Sequence, residues 1–259
     1  MNSPIDIDIT NHGVCNIRLN RPEKHNAFNA VLIGELSQRL VDIEHDSRVR
    51  IVVLTGTGAS FSSGADLEWM RAAADYDEAD NQADALLLAE LMRRWFELSK
   101  PTIARINGPA YGGALGLIAG SDIAIAVDSA QFAFSEVKLG LIPAVISPYI
   151  VRAVGERQTR RMFLTAAPFS AREAQQLGLV HQVVAENSLD EAVQQDIEHL
   201  LNAGPTALQH CKRLLHQLTS EGLDDLALAE LIAQIRVENE AQEGLQAFLQ
   251  KRRPGWRPD

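Results

Sequence analysis

The sequence predicts an α/β fold that closes with an all-helical segment. Three observations predict it. Short strand-like stretches alternate with helical ones through the first two thirds of the chain. From Asn187 to Lys251 only helical periodicity remains. Two glycine-rich segments, Phe61 to Asp66 and Asn107 to Gly116, each follow a strand and open a helix.

Ile5, Ile7 and Ile9 alternate with polar and acidic residues, as a half-buried strand requires. His12-Gly13 marks a turn, and Val14 to Leu19 is the second arm of a hairpin. Asn20 to Ala27 is polar and punctuated by Pro22, hence a loop. Asn29 caps an amphipathic helix to about His45, with Leu32, Leu36 and Leu40 on one face. Ile51 to Leu54 is a buried β-branched strand. Gly56 to Gly64 is a glycine- and serine-rich loop, and Asp66 caps the helix after it. Residues 71–83, charged and rich in alanine, read as a mobile stretch suited to a lid. Ala85 to Leu98 is helical, and Pro101 to Ile106 is a strand broken by Gly108 to Gly113. A small-residue helix runs from Gly113 to Gly120, followed by a strand from Ile123 to Val127. Val145 to Thr165 reads as helices, Ala171 to Leu177 as another, and Leu179 to Val184 as the last strand. The expected division is an α/β core over 1–186 and a helical region over 187–259. That region either packs on its own core or joins copies of the chain.

Of 259 residues, 46% are apolar and 22% charged, which excludes a disordered chain, a collagen or a disulfide scaffold. Lys and Arg number 24 against 34 Asp and Glu, a net charge of −10. So acidic a chain is a poor nucleic-acid binder and has little attraction to an anionic membrane. Met1 to Asp8 has neither the basic start nor the apolar stretch of a signal peptide, and no long apolar run follows. The expectation is a soluble cytoplasmic protein. Cys15 and Cys211 alone make no secreted framework, and the seven histidines have no metal-ligand spacing.

Familiar motifs fail. Gly108 to Gly113 has phosphate-loop glycine spacing, but Ala114 stands where the lysine belongs. Tyr111 occupies the first glycine position of a dinucleotide fingerprint, and no serine sits in a Gly-x-Ser-x-Gly elbow. The two glycine-rich segments remain. Backbone N–H groups at a helix start are unpaired donors, and two facing each other make an oxyanion hole. Ordinary strand-to-helix turns have the same spacing. The third element is Phe132 to Pro143. Glu136 lies there among apolar residues, where a carboxyl holds its proton nearer neutrality and can exchange it. Pairing with Lys138 or a surface position is the alternative.

Taken together, these segments resemble the crotonase, or enoyl-CoA hydratase/isomerase, superfamily. The residues that carry the resemblance span nearly the whole chain. They are Leu19-Asn20-Arg21-Pro22, Asn26-Ala27, Ser63-Gly64-Ala65-Asp66, Gly112-Gly113, Ser121-Asp122-Ile123-Ala124 and Phe134-Ser135-Glu136 with Leu139-Gly140. Ala171-Arg172-Glu173-Ala174, Leu177-Gly178-Leu179-Val180 and Glu243-Gly244 through Lys251-Arg252 complete them.

The resemblance implies a spiral of strand–strand–helix turns whose C-terminal helices build trimers, often paired into hexamers. It implies an acyl-CoA thioester substrate and no metal, nucleotide or flavin; coenzyme A enters as part of the substrate. The N–H groups of Ala65 and Gly113 would hold the thioester oxygen, binding it more tightly as the enolate forms. Ser63, Gly64 and the Lys24–Asn26–Ala27 loop would hold the coenzyme A moiety. Phe248 and Lys251, of the same or a neighbouring subunit, would cover its adenine and phosphates. Asp66, Leu67, Tyr111, Gly112, Gly116 and Pro143 complete the expected substrate-binding set.

Two-glutamate hydratases of the superfamily carry one Glu three residues after the oxyanion-hole glycine; here that residue is Gly116. Glu136 alone matches the second. Single-glutamate members include Δ3–Δ2 enoyl-CoA isomerases. Yet Gly64 to Met70, Tyr111 to Ile118 and Leu141 to Pro148 resemble bacterial methylglutaconyl-CoA hydratases. By that likeness Glu136 serves as both base and acid, and space at Gly116 admits the substrate's terminal carboxylate or its branch, with an Arg or Lys as partner. The leading expectation is hydration of a methylglutaconyl-CoA-like substrate. An isomerase using Glu136 alone and a non-catalytic acyl-CoA-binding homologue are the alternatives.

Overall fold

Alternating isoleucines build β1 (Ile5–Ile9), which pairs antiparallel with β2 (Val14–Leu19) in a register that sets Ile5 opposite Leu19. The computed structural model describes residues 3–220 and 222–258. The hairpin turn needs Gly13, whose φ is +82° and where a Cβ would stand 2.5 Å from the Arg48 carbonyl oxygen. Helix α1 (Ala30–His45) starts where expected, because the Asn29 side chain accepts the Leu32 N–H at 2.9 Å. It buries Leu32, Leu36, Leu40 and Ile43.

Strand β3 (Ile51–Gly56) is buried throughout and runs past the expected Leu54, since Arg18 and Leu19 continue the ladder to Thr55 and Gly56. The stretch 71–83 departs from expectation. It is helical at both ends, in α2 (Leu67–Ala73) and α3 (Glu78–Glu97), with four residues between. Its five alanines favour helix, and Asp77 caps α3 by accepting the Asp80 N–H at 2.9 Å. The Trp69 indole N–H then donates to Asp84 at 3.1 Å, tying the two helices together.

Strand β4 (Thr102–Ile106) leads to the short β5 (Ala110–Tyr111) and α4 (Ala114–Ala119). Strand β6 (Ile123–Val127) leads to β7 (Gln131–Ala133). Helices α5 (Ser147–Val154) and α6 (Glu156–Thr165) follow, then β8 (Phe169–Ser170), α7 (Ala171–Leu177) and β9 (Gln182–Val184). Strand β9 is shorter than expected because Leu179 and Val180 donate to the Ala174 carbonyl and finish α7 instead. The large sheet has the order β1-β2-β3-β4-β6-β9, parallel from β2 onward. A small sheet, β5-β7-β8, lies beside it. From β4 to the Glu136–Leu139 turn, the chain twice places one strand in each sheet and then a helix or helical turn. This is the spiral of turns that the resemblance implies.

The C-terminal region is helical as expected, in α8 (Leu189–Asn202), α9 (Pro205–Ser220), α10 (Asp225–Arg236) and α11 (Asn239–Leu249). Leu189, Val193, Ile197 and Leu201 of α8 belong to the same core as the sheet. Helices α9 to α11 differ: among their described residues Ala247 is the one buried apolar side chain, while Leu215, Leu226, Phe248 and Leu249 are exposed. Cys15 and Cys211 are both free, and burial pushes the Cys15 thiol up to about 12.

Candidate active site

Strands β3 and β4 end side by side, and their loops leave from the carboxyl edge of the parallel sheet, where open α/β sheets gather ligands. Asn26 joins the first loop to the chain before it. Fully buried and at φ +56°, it accepts the Arg21 N–H at 3.0 Å and donates to the carbonyls of Thr57 and Ser60, both at 2.9 Å. Ser62 Oγ donates to the Asn26 carbonyl at 2.8 Å. Phe28 then bridges the loop, donating to Gly64 O at 2.7 Å and accepting the Asp66 N–H at 2.8 Å. Because that bridge uses residues 64 and 66, the Ala65 N–H points to the opposite side.

The second loop lies along the first. Tyr111 donates its N–H to Ser62 O at 3.0 Å, and a Cβ on Gly64 would stand 2.8 Å from the Tyr111 carbonyl oxygen. Only glycine, here at φ +85°, permits that approach. Gly113 caps α4. Among the described residues no acceptor takes the N–H of Ala65 or of Gly113. Two neighbouring loops therefore each present an unpaired donor, as an oxyanion hole requires.

Glu136 joins them through the small sheet. Gly112 donates to Ala133 O at 3.0 Å, which brings the end of β7 to the second loop. Glu136 opens a 3-10 turn (Glu136–Leu139) just beyond. A Cβ on Gly112, at φ +51°, would stand 3.2 Å from Glu136 Oε1. Glu136 Oε2 is buried and has no hydrogen-bond partner. Burial pushes the Glu136 carboxyl above its ordinary value, and its own backbone N–H offsets this only in part. Lys138 makes no ion pair with it, because residues two apart on a 3-10 turn face different ways.

The other expected residues divide into groups. Ser63 is held by donating its N–H to His25 O at 2.9 Å, and its hydroxyl to Lys24 O at 3.3 Å. Lys24 itself is solvent-facing, 3.1 Å from Glu68, and Leu67 is exposed. Ala27 is buried; its carbonyl accepts from Arg21. Asp66 is buried and scaffolds the loop: it caps α2 through the Glu68 N–H at 2.8 Å and pairs with Arg21 at 2.7 Å. Burial would raise its pKa, but Arg21, the Glu68 amide and Lys24 together hold it below the usual carboxylate range. Pro143 is buried in the turn after Glu136.

One expectation is corrected. There is no open space at Gly116: a Cβ there would overlap Ile146 Cγ2 and stand 2.9 Å from Met92 Sδ, so apolar side chains fill the place of a second glutamate. Phe248 and Lys251, expected from the same or a neighbouring subunit, lie at the end of α11. Trp256 packs 3.0 Å from the Gly244 position of α11 and accepts from Arg50 at 2.7 Å, at the start of β3. The loops leave its other end, about 20 Å away for a six-residue strand. The sequence reading missed Arg21 as the residue that fixes Asp66, although Arg21 stands in a matched motif. It also missed Ile146, Met92 and Leu88, whose convergence on α4 no local pattern displays.

A family model described as enoyl-CoA hydratase/isomerase matches residues 9–259. The chain belongs to this family. A crystal structure of an enoyl-CoA hydratase from Shewanella pealeana superposes with a TM-score of 0.94 at 46% identity, over 98% of this chain and 96% of that one. Enoyl-CoA hydratase ACTT6 of Alternaria alternata is 35% identical over 91% of this chain and 78% of its own. The 1,2-epoxyphenylacetyl-CoA isomerase of Escherichia coli is 33% identical over 93% of this chain and 94% of its own. Hydratase or isomerase chemistry is thus the family's range, and acyl-CoA binding is consistent with it. In this member of the family the site offers two amide donors and one carboxylate.

Proposed function

We propose that the protein hydrates an enoyl-CoA, and that the substrate resembles 3-methylglutaconyl-CoA. One observation carries the hydration: the buried, unpartnered Oε2 of Glu136 beside a loop with a free amide donor. The ionised carboxylate takes a proton from water as the water oxygen bonds to the β-carbon. The displaced electron pair moves to the thioester oxygen, where the N–H groups of Ala65 and Gly113 hold the enolate. Protonated Glu136 then gives its proton to the α-carbon on the same face. A raised pKa suits both halves, because the group is a stronger base when ionised and holds its proton nearer neutrality.

The substrate reading rests on the matched segments 64–70, 111–118 and 141–148. With Gly116 filled, our reading puts the terminal carboxylate at the Glu136–Leu139 turn. Lys138, exposed on that turn, makes no ion pair among the described residues and is the cation we assign to it. Trimers, in which a neighbour's Phe248 and Lys251 cover the coenzyme A, and a cytoplasmic location belong to the same proposal.

A second reading is favoured by the apolar contact of Ile146 and Met92 at Gly116, which offers an attacking water no second acceptor. That suits a Δ3–Δ2 isomerase moving one proton with Glu136 alone. Turnover in deuterium oxide separates the two. The hydratase adds water to 3-methylglutaconyl-CoA with one deuterium at the α-carbon, and Lys138→Met weakens that substrate but not crotonyl-CoA. A shifted double bond in a 3-enoyl-CoA without added water makes it the isomerase. Tight binding of acyl-CoA with no turnover of any enoyl-CoA makes it the non-catalytic homologue.

A further inference from the structure

Gly113, Gly116 and Gly120 lie along one side of α4, and α3 meets them in step. Leu88 Cδ2 stands 3.8 Å from the Cβ position of Gly113, Met92 Sδ 2.9 Å from that of Gly116, and Trp95 Cδ1 3.3 Å from that of Gly120. Ile146, from the turn that follows Glu136, adds its Cγ2 at Gly116. Met92 and Ile146 are buried, whereas Leu88 is only partly so. The packing therefore tightens along α4 from the amide donor inward, and it closes one helical turn away, about 5 Å. No charged side chain stands among these contacts, and the Trp95 indole N–H is already taken by the Leu117 carbonyl at 2.9 Å.

We infer that Ile146 and Met92 are specificity-determining residues: together they form the apolar end wall of the acyl site. The inference rests on the acyl-CoA reading above. An acyl chain running along α4 from a thioester whose oxygen sits at Gly113 N–H would meet Ile146 and Met92 about one helical turn on. The wall accepts a short or branched alkyl group and rejects a long chain by overlap. A carboxylate pressed against Met92 and Ile146 would lose its water without gaining a partner, so the alkyl branch of the proposed substrate, and not its terminal carboxylate, faces this wall. Gly116 is the complement of this wall, since only a residue without a side chain leaves Ile146 its place.

The test compares chain lengths within each variant, so that a general loss of fold or affinity cancels. Dissociation constants for butyryl-, hexanoyl- and decanoyl-CoA are measured by titration calorimetry on the wild type, Ile146→Ala and Met92→Ala. Both variants should shift the ratio of decanoyl- to butyryl-CoA affinity toward the long chain by about tenfold or more, the scale set by one or two methylenes in an apolar pocket. Met92 lies on a different element from Ile146, so a shared shift does not come from a local defect in the 141–146 turn. Intact binding with a ratio within about twofold of wild type in both variants overturns the wall and leaves the acyl-CoA reading standing. Failure of every chain length to bind the wild type overturns both.

Discussion

At the scale of single residues, Glu136 carries a stability cost that its chemistry explains. Its Oε2 is buried without a partner, and burial raises its pKa in the folded protein above that in the unfolded chain. Folding therefore favours the protonated form. Below pH ~4 both states are protonated and there is no penalty. As the pH climbs through the unfolded and then the folded value, the wild type loses stability that a neutral side chain keeps. Glu136→Gln should melt at a higher temperature than wild type at neutral pH and above, with the difference vanishing in acid. The same change should lower kcat by about 10²-fold or more, the usual worth of a general acid–base. A Gln variant that melts below wild type above neutrality, or that keeps full turnover, contradicts the assignment. The sequence made Glu136 visible as an acid among apolar residues, but not its solitude. Whether Lys138 neutralises it depends on the direction two side chains take from one turn, which spacing does not report.

At the scale of elements, legibility followed length and capping. Helix α1 and α7 were readable to the residue because Asn29 caps the one and Ser170 with Glu173 forms a capping box on the other. Strands β5, β7 and β8 were not readable, since two or three residues are too few to display an alternation. The stretch 71–83 was misread for the opposite reason: its charge suggested solvent, while its composition favoured helix. The loop before α2 is held by a device that sequence showed only as Arg21 within a motif. Arg21 reaches Asp66 at 2.7 Å with both side chains largely buried, and also donates to the Ala27 carbonyl. Removing the guanidinium strands a buried carboxylate beside the Ala65 amide. Arg21→Met should cost about 3 kcal/mol in urea unfolding, as breaking a buried pair does. It should also lower kcat, because Ala65 loses its fixed position. A loss below about 1 kcal/mol would mean the pair is worth no more than a surface one.

At the scale of the whole molecule, the described chain has its carboxyl-edge loops at one end of the sheet and α11 at the other. Coenzyme A carries phosphates, and this chain carries a net charge of −10, so binding needs locally placed cations. Lys24 is engaged with Glu68, and Arg21 with Asp66. Lys251 sits on the far side with Phe248, which is 82% exposed, next to an exposed Leu249. Leu215, Leu226 and Leu245 are also exposed on the terminal helices, an apolar surface of the kind that another chain can cover. If a second copy does so, one surface stabilises the assembly and completes the ligand site. Light scattering should then give three or six chains per particle. Phe248→Ala and Lys251→Ala should each raise KM for enoyl-CoA about tenfold while leaving kcat nearly unchanged, because they touch the handle of the substrate and not its reacting carbons. With an N-acetylcysteamine thioester, which has no nucleotide to cover, the same variants should match the wild type. A fully active monomer, or an equal loss on both thioesters, would place Phe248 and Lys251 in the stability of the helices and not in the site.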